Sequence, residues 1–130
     1  MTTKVYVVDS SVWIEILSQG PRVRTCLQEV RSAAHVCVPA LVIFEVYKKI
    51  AVMHSEHQAL SATATLSQYE ILDLTREVSL TAADLSISEK LPMADSIVLA
   101  HARLRGATLL TLDNNFAGLT GALVIRKADS

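Results

Sequence analysis

The chain has 130 residues, with 12 Lys+Arg against 13 Asp+Glu, 51% apolar residues and a mean hydropathy of +0.36. A domain of this length buries roughly two-thirds of its unfolded surface, and this apolar content excludes a disordered chain. A formal net charge of -1 excludes a uniformly basic nucleic-acid binder, and no apolar run approaches the roughly 18 residues of a membrane span.

In chain order, Lys4–Val8 (KVYVV) reads as a strand buried on both faces. Asp9-Ser10-Ser11 then offers N-cap chemistry to a helix over Val12–Leu17. Gly20-Pro21 stops that helix and opens another, Arg22–Ser32, with Val23, Leu27 and Val30 on one face. His35–Val38 is a short strand ended by Pro39. Ala40–Met53 reads as a helix, Glu56–Leu66 as a more polar one, and Tyr69–Leu72 (YEIL) as a strand. A helical stretch follows from Thr75 to Ser86. Pro92 suits the first position of a further helix that runs to Arg105 and closes at Gly106. Ala107–Leu112 is a strand, Asn114–Leu119 a short helical turn, and Ala122–Ile125 a last strand. Strands spaced by helices predict an α/β fold, with a mostly parallel sheet between two helical layers. No repeat, low-complexity stretch or linker interrupts residues 1–130, so a single domain is expected. Residues 1–5 lack an apolar signal-peptide core, which predicts a cytoplasmic protein.

Cys26 and Cys37 fit neither a zinc-finger spacing nor a disulfide framework, and both read as reduced core residues. His54 and His57 share a helix face at i, i+3, but no carboxylate or thiol matches their spacing. His35 and His101 stand alone.

The chemistry lies in the carboxylates. Asp9 directly follows the first strand, and Asp113 directly follows the strand Ala107–Leu112. Glu45 lies in the early turns of the helix after His35–Val38, and Asp95 ends the first turn of the helix opened by Pro92. All four therefore reach the rim beyond the carboxyl ends of the strands, where open parallel sheets bind ligands. Asp9 and Asp113 each also fit a plain helix cap, and Glu45 fits a pairing with Lys48 or Lys49. Asp95 has the apolar neighbours Leu91, Val98, Leu99 and Ala102, so its carboxylate faces the packed side. A carboxylate buried without a partner costs several kcal/mol or takes up a proton. A hard divalent cation, Mg²⁺ or Mn²⁺, compensates converging carboxylates and supports phosphodiester hydrolysis without a His or Cys nucleophile.

Other chemistries lack their residues. Ser11 stands where a haloacid dehalogenase has its second Asp, and the first strand end lacks the acidic pair of a receiver domain. The four glycines form neither a dinucleotide fingerprint nor a P-loop, and no Gly-x-Ser-x-Gly elbow is present.

The order Val-Val-Asp9-Ser-Ser11, Pro-Ala-Leu-Val-Ile-Phe-Glu45-Val, Met-Ala-Asp95-Ser-Ile-Val-Leu-Ala and Thr111-Leu-Asp113-Asn-Asn-Phe116 resembles a PIN domain. The size is most similar to that of VapC toxins from prokaryotic toxin–antitoxin pairs. That resemblance implies a PIN-like three-layer fold and a Mg²⁺- or Mn²⁺-dependent endoribonuclease. Asp9, Glu45, Asp95 and Asp113 match the family's catalytic, metal-binding acids. Ser11 matches a small polar position behind the first acid, or serves as a helix cap, and Thr111 matches a residue supporting a metal ligand. Asn115 stands where family members often carry a further acid; its amide oxygen can coordinate but adds no charge.

The resemblance also implies an RNA substrate, a VapB-like antitoxin whose C-terminal segment covers the acidic crevice, and a homodimer within a toxin–antitoxin hetero-oligomer. Cations for RNA are Lys48, Lys49, Arg22 and Arg24. Trp13 and the tyrosines Tyr47 and Tyr69 are candidates for stacking on bases, although the apolar segment Val12-Trp13-Ile14 fits Trp13 better to the core or an interface. Trp13, Ile14, Leu17 and Phe44 are candidates for docking the antitoxin, and burial in the core accounts for them equally. Two readings compete with the ribonuclease. One is a non-catalytic PIN-like binding module, against which the four acids count. The other is a DNA-directed nuclease of the flap-endonuclease type, which needs helical insertions that 130 residues leave no room for.

Overall fold

The computed structural model describes residues 3–126. Five strands, β1 (Val5–Val8), β2 (His35–Pro39), β3 (Glu70–Leu72), β4 (Thr108–Thr111) and β5 (Ala122–Val124), form one sheet in the order β3-β2-β1-β4-β5. Every neighbouring pair is parallel, with Val7 opposite Cys37 and Leu109, and Cys37 opposite Glu70. The sheet is thus parallel throughout, beyond the mostly parallel one expected.

Parallel neighbours need crossovers, and helices supply them. The helices α1 (Ser10–Leu17), α2 (Val23–Ser32), α3 (Ala40–Met53) and α4 (Glu56–Leu66) connect β1 to β2 and β2 to β3. The pair α5 (Arg76–Glu89) and α6 (Met93–Arg105) carries the chain back to β4. α1 packs on α2 and α3, α3 on α4, and α5 on α6. Right-handed crossovers in opposite directions put α1–α4 on one face of the sheet and α5–α6 on the other. The sheet between them is almost wholly apolar: Val7, Val8, Val38, Leu109 and Leu110 are fully buried. Val12, Val42, Val46, Val98 and Leu99 close over it from the helices.

Small departures from the sequence reading have local causes. α1 begins at Ser10, because Asp9 occupies the N-cap position in extended backbone. Pro39 stays within β2, paired with Leu72, since a proline at the last residue of a strand removes only one ladder bond. α5 continues past Ser86 to Glu89 and ends where Lys90 turns left-handed at φ 55. Pro92 is the N-cap of α6, and Gly106 ends that helix at φ 69, as the sequence predicts of a C-terminal glycine. The turn after β4 is a 3₁₀ helix confined to Asn114–Phe116. β1 and β4 lie side by side with the chain leaving in opposite directions, so the crevice beyond their carboxyl ends is the switch point of the sheet.

Candidate active site

Asp9 extends β1 by one residue, its backbone N–H donating to the Leu110 carbonyl at 2.9 Å. Although it stands at the N-cap of α1, its side chain caps nothing there. Its Oδ2 instead accepts hydrogen bonds from Thr111 Oγ1 at 2.8 Å and Ser11 Oγ at 3.0 Å. Asp9 is 7% exposed and Thr111 fully buried. The hydroxyls also tie β4 to α1: Ser11 Oγ accepts from the Leu112 N–H at 3.0 Å, and Thr111 Oγ1 from the Asp113 N–H at 3.0 Å.

The chain of bonds continues through Asp113. Its Oδ1 caps the 3₁₀ turn by accepting from the Asn115 N–H at 2.8 Å. Here the cap reading of Asp113 holds, alongside its place at the rim. The Asn115 amide in turn donates to Asp95 Oδ2 at 3.3 Å. Asp95 is half-buried beside Leu91, Val98, Leu99 and Ala102, all in the core, as its helical spacing predicts. Glu45 enters from α3, half-buried, and the Ser10 side chain acts on its carboxyl, pulling its pKa down. Ser10 is the residue of this network that the sequence reading did not single out; a second hydroxyl directly behind Asp9 was the available signal.

The four acids share one electrostatic environment. Burial pushes the Asp9 carboxyl up most strongly; Thr111, Ser11 and the Ser10 backbone pull it down, and the Asp113 charge adds to the rise. Burial likewise raises Glu45, with the charges of Asp9 and Asp95 raising it further. Asp95 is raised by burial and by Asp113 and Asp9, against the Asn115 hydrogen bond. Among the described residues, no Lys, Arg or His forms an ion pair with any of the four; the two salt bridges there both belong to Glu70. The pairing of Glu45 with Lys48 or Lys49 does not occur.

An all-oxygen set of carboxylates, with hydroxyls and an amide behind it, fits a hard divalent cation better than a thiophilic one. Such an ion keeps several waters and needs only one or two carboxylates in direct contact. Among the described residues, three ligand atoms come within 4.8 Å of one another only at His35, Cys37 and Glu70, on a different edge of the sheet.

Of the other singled-out residues, Lys48, Lys49 and Arg24 are exposed. Lys48 Nζ lies 5.8 Å from the centre of the Phe44 ring. Arg22 lines a groove of about 680 Å³ with Leu112 and Asn114, the residues flanking Asp113. Trp13 is not a base-stacking residue: it is 3% exposed and packs on Tyr69 with ring centroids 5.3 Å apart. Burial removes it from any docking surface too, whereas Phe44 is 60% exposed. Cys26 and Cys37 are fully buried free thiols, as expected, and His54 and His57 are exposed.

The family model of the PIN domain matches residues 6–121. No curated protein sequence matches the chain. Among solved structures, the chain is similar to a toxin–antitoxin complex from Klebsiella pneumoniae, with a TM-score of 0.80 and 22% identity over 94% of this chain and 97% of that one. It is similar to VapC20 of Mycobacterium tuberculosis, described as a sarcin–ricin loop cleaving toxin, with a TM-score of 0.79 and 16% identity over 95% and 100% of the two chains. A VapBC family member from the same organism gives 0.67 and 20% identity over 95% and 98%. At these identities the likeness is one of fold.

Proposed function

The chain belongs to the PIN domain family, and from that premise we propose that it is a metal-dependent endoribonuclease acting as the toxin of a VapBC-type toxin–antitoxin pair. What supports this reading is that Asp9, Glu45, Asp95 and Asp113 act electrostatically on one another while no cationic side chain among the described residues forms an ion pair with them. Toxins of known structure with the same fold support the toxin assignment.

Asp9, Asp95, Asp113 and Glu45 would hold Mg²⁺ or Mn²⁺. When bound, the ion supplies orientation of the scissile phosphate, a lowered pKa for a water and neutralisation of charge at phosphorus. The residues around it have positioning roles. Ser11 and Thr111 fix one oxygen of Asp9 and hold its plane, as partners behind a metal ligand do. Asn115 orients Asp95 as a donor and contributes no fifth negative charge. Ser10 favours the charged form of Glu45. Because burial raises the proton affinity of Asp9, Glu45 and Asp95, protons and the cation compete for the same oxygens.

Phosphate contacts from Arg22 and the exposed Lys48, Lys49 and Arg24 would position the RNA strand without reading its sequence. The partner in this reading is a VapB-like antitoxin, and the toxin itself forms a homodimer. The apolar face of α3 supports such contacts: Phe44 is 60% and Val52 81% exposed, beside a groove of about 620 Å³ lined by Ile43, Tyr47 and Ala51. No helix among the described residues is long and apolar enough to cross a membrane, and the proposed place of action is the cytoplasm.

The test is cleavage of RNA by the purified chain. Activity is expected to vanish with EDTA and return with Mg²⁺ or Mn²⁺ but not Ca²⁺, whose looser coordination suits phosphoryl chemistry poorly. Asp9→Asn and Asp95→Asn are expected to abolish it and to relieve growth arrest on overexpression. Cleavage that survives chelation sinks the metal mechanism, and undiminished toxicity in both variants favours a binding module.

A further inference from the structure

A second cluster of ligand atoms lies away from the acidic crevice. His35 opens β2 and Glu70 opens β3, so both sit toward the amino-terminal end of the sheet. The alternation of β2 puts His35 and Cys37 on one face, and the parallel register places Cys37 directly opposite Glu70. His35 Nε2 lies 2.7 Å and Cys37 Sγ 3.8 Å from Glu70 Oε1, and all three ligand atoms are within 4.8 Å of one another. Tetrahedral zinc, with bonds of about 2.0 Å to nitrogen or oxygen and about 2.3 Å to sulfur, needs its ligand atoms roughly 3.3–3.6 Å apart. The cluster straddles that separation, and side-chain shifts of about 1 Å reach it.

We propose that His35, Cys37 and Glu70 form a cation site for a borderline-soft divalent ion of the Zn²⁺ type, distinct from the acidic quartet and chemically orthogonal to it. The nitrogen, sulfur and oxygen donors select Zn²⁺ over Mg²⁺, whereas the all-oxygen quartet has the opposite preference. Three protein ligands leave a fourth position for water, as in open zinc sites. The exposed His35 provides the way in, and the buried Cys37 the anchor. Arg105, at the end of α6, pairs with the same Glu70 oxygen. It is the site's built-in competitor: the guanidinium must swing aside before an ion enters, and its half-exposed side chain has solvent to move into. A bound ion would tie β2 to β3, the outermost pair on that side of the sheet. This inference is independent of the proposed nuclease function.

Titration of the metal-stripped full chain with Co²⁺ tests it, because a thiolate ligand gives cobalt an intense near-ultraviolet charge-transfer band that oxygen ligands do not. The band is expected in the wild type, in Cys26→Ser, which keeps Cys37, and in Asp95→Asn, which keeps the whole cluster. It should disappear on adding Zn²⁺ and persist with excess Mg²⁺. Cys37→Ser should lack it. His35→Ala changes an exposed residue and leaves the core alone; it should weaken binding by more than the roughly tenfold to hundredfold that changes behind a ligand cost. Arg105→Gln should tighten binding. Absence of the band in the folded wild type, its retention in Cys37→Ser, or unchanged affinity in His35→Ala overturns the proposal.

Discussion

Replacing Thr111 by Val removes one hydroxyl from the centre of the acidic network while keeping the shape of a fully buried side chain. Three hydrogen-bond contacts go with it: the donation to Asp9 Oδ2 at 2.8 Å, the acceptance from the Asp113 N–H at 3.0 Å, and a long contact with Ser11 Oγ at 3.4 Å that adds little beside the other two. A bond to a charged acceptor contributes about 1.5–3 kcal/mol, and a buried N–H left without an acceptor costs about 1–3 kcal/mol. The Asp113 amide is only partly buried and water can reach it, so the expected loss is about 2–4 kcal/mol. For a domain of this length that lowers Tm by roughly 10 °C. The cost should depend on pH. The Thr111 bond holds the Asp9 carboxyl down against burial, so losing it raises the proton affinity of Asp9 further. Once Asp9 takes up a proton the bond is between neutral groups, so the difference between variant and wild type should shrink by about half as pH falls. Urea unfolding of both proteins in EDTA, from about pH 8 down to the acid limit of the folded state, measures this. A loss under about 1 kcal/mol at the alkaline end, or one that does not change with pH, refutes the reasoning.

Further outcomes follow from the same groups. In EDTA, Asp9→Asn should be more stable than the wild type near neutral pH. Burial raises the folded pKa of Asp9, so its charge is a penalty above that pKa and vanishes below it; the gain should therefore fade on acidification, as thermal melts at several pH values would reveal. His101 is 3% exposed, its Nε2 has no hydrogen-bond partner among the described residues, and burial lowers its pKa. The unfolded chain then binds the extra proton, so stability is lost as pH falls below the ordinary value of 6.5 toward the folded one. His101→Leu should flatten that slope in urea midpoints, and an unchanged slope assigns it to other groups. Ser10→Ala should weaken RNA cleavage less than Asp9→Asn while leaving Tm within a few degrees, since it frees Glu45 without removing an acid; full activity would exclude a positioning role.

The rim was legible because the acids stand at positions that topology alone fixes. Asp9 and Asp113 directly follow strands, and Asp95 sits one turn into a helix whose apolar spacing aims it inward. The fold class was legible for a similar reason, since buried parallel strands such as VYVV and TLLT read as continuous apolar runs. What holds the acids in place was harder to read. Ser11 and Thr111 are 100 residues apart, and their shared hold on Asp9 depends on the pairing of β1 with β4. His35, Cys37 and Glu70 form no spacing motif either; their meeting requires the register of β2 against β3. Trp13 is buried, as its apolar segment favours, but its ring partner could not be read from the sequence. It packs on Tyr69, the residue just before β3 and 56 positions along the chain.

The central claim is that Asp9, Glu45, Asp95 and Asp113 form a single cation site, and thermal unfolding with and without Mg²⁺ tests it most directly. At a hundredfold excess over its dissociation constant, Mg²⁺ should stabilise the wild type by about 2.7 kcal/mol. Glu56→Gln, an exposed change on α4, should keep that gain, and Asp95→Asn should lose most of it. Equal stabilisation of Asp95→Asn and the wild type would contradict the account, because the ion would then be bound somewhere other than this crevice.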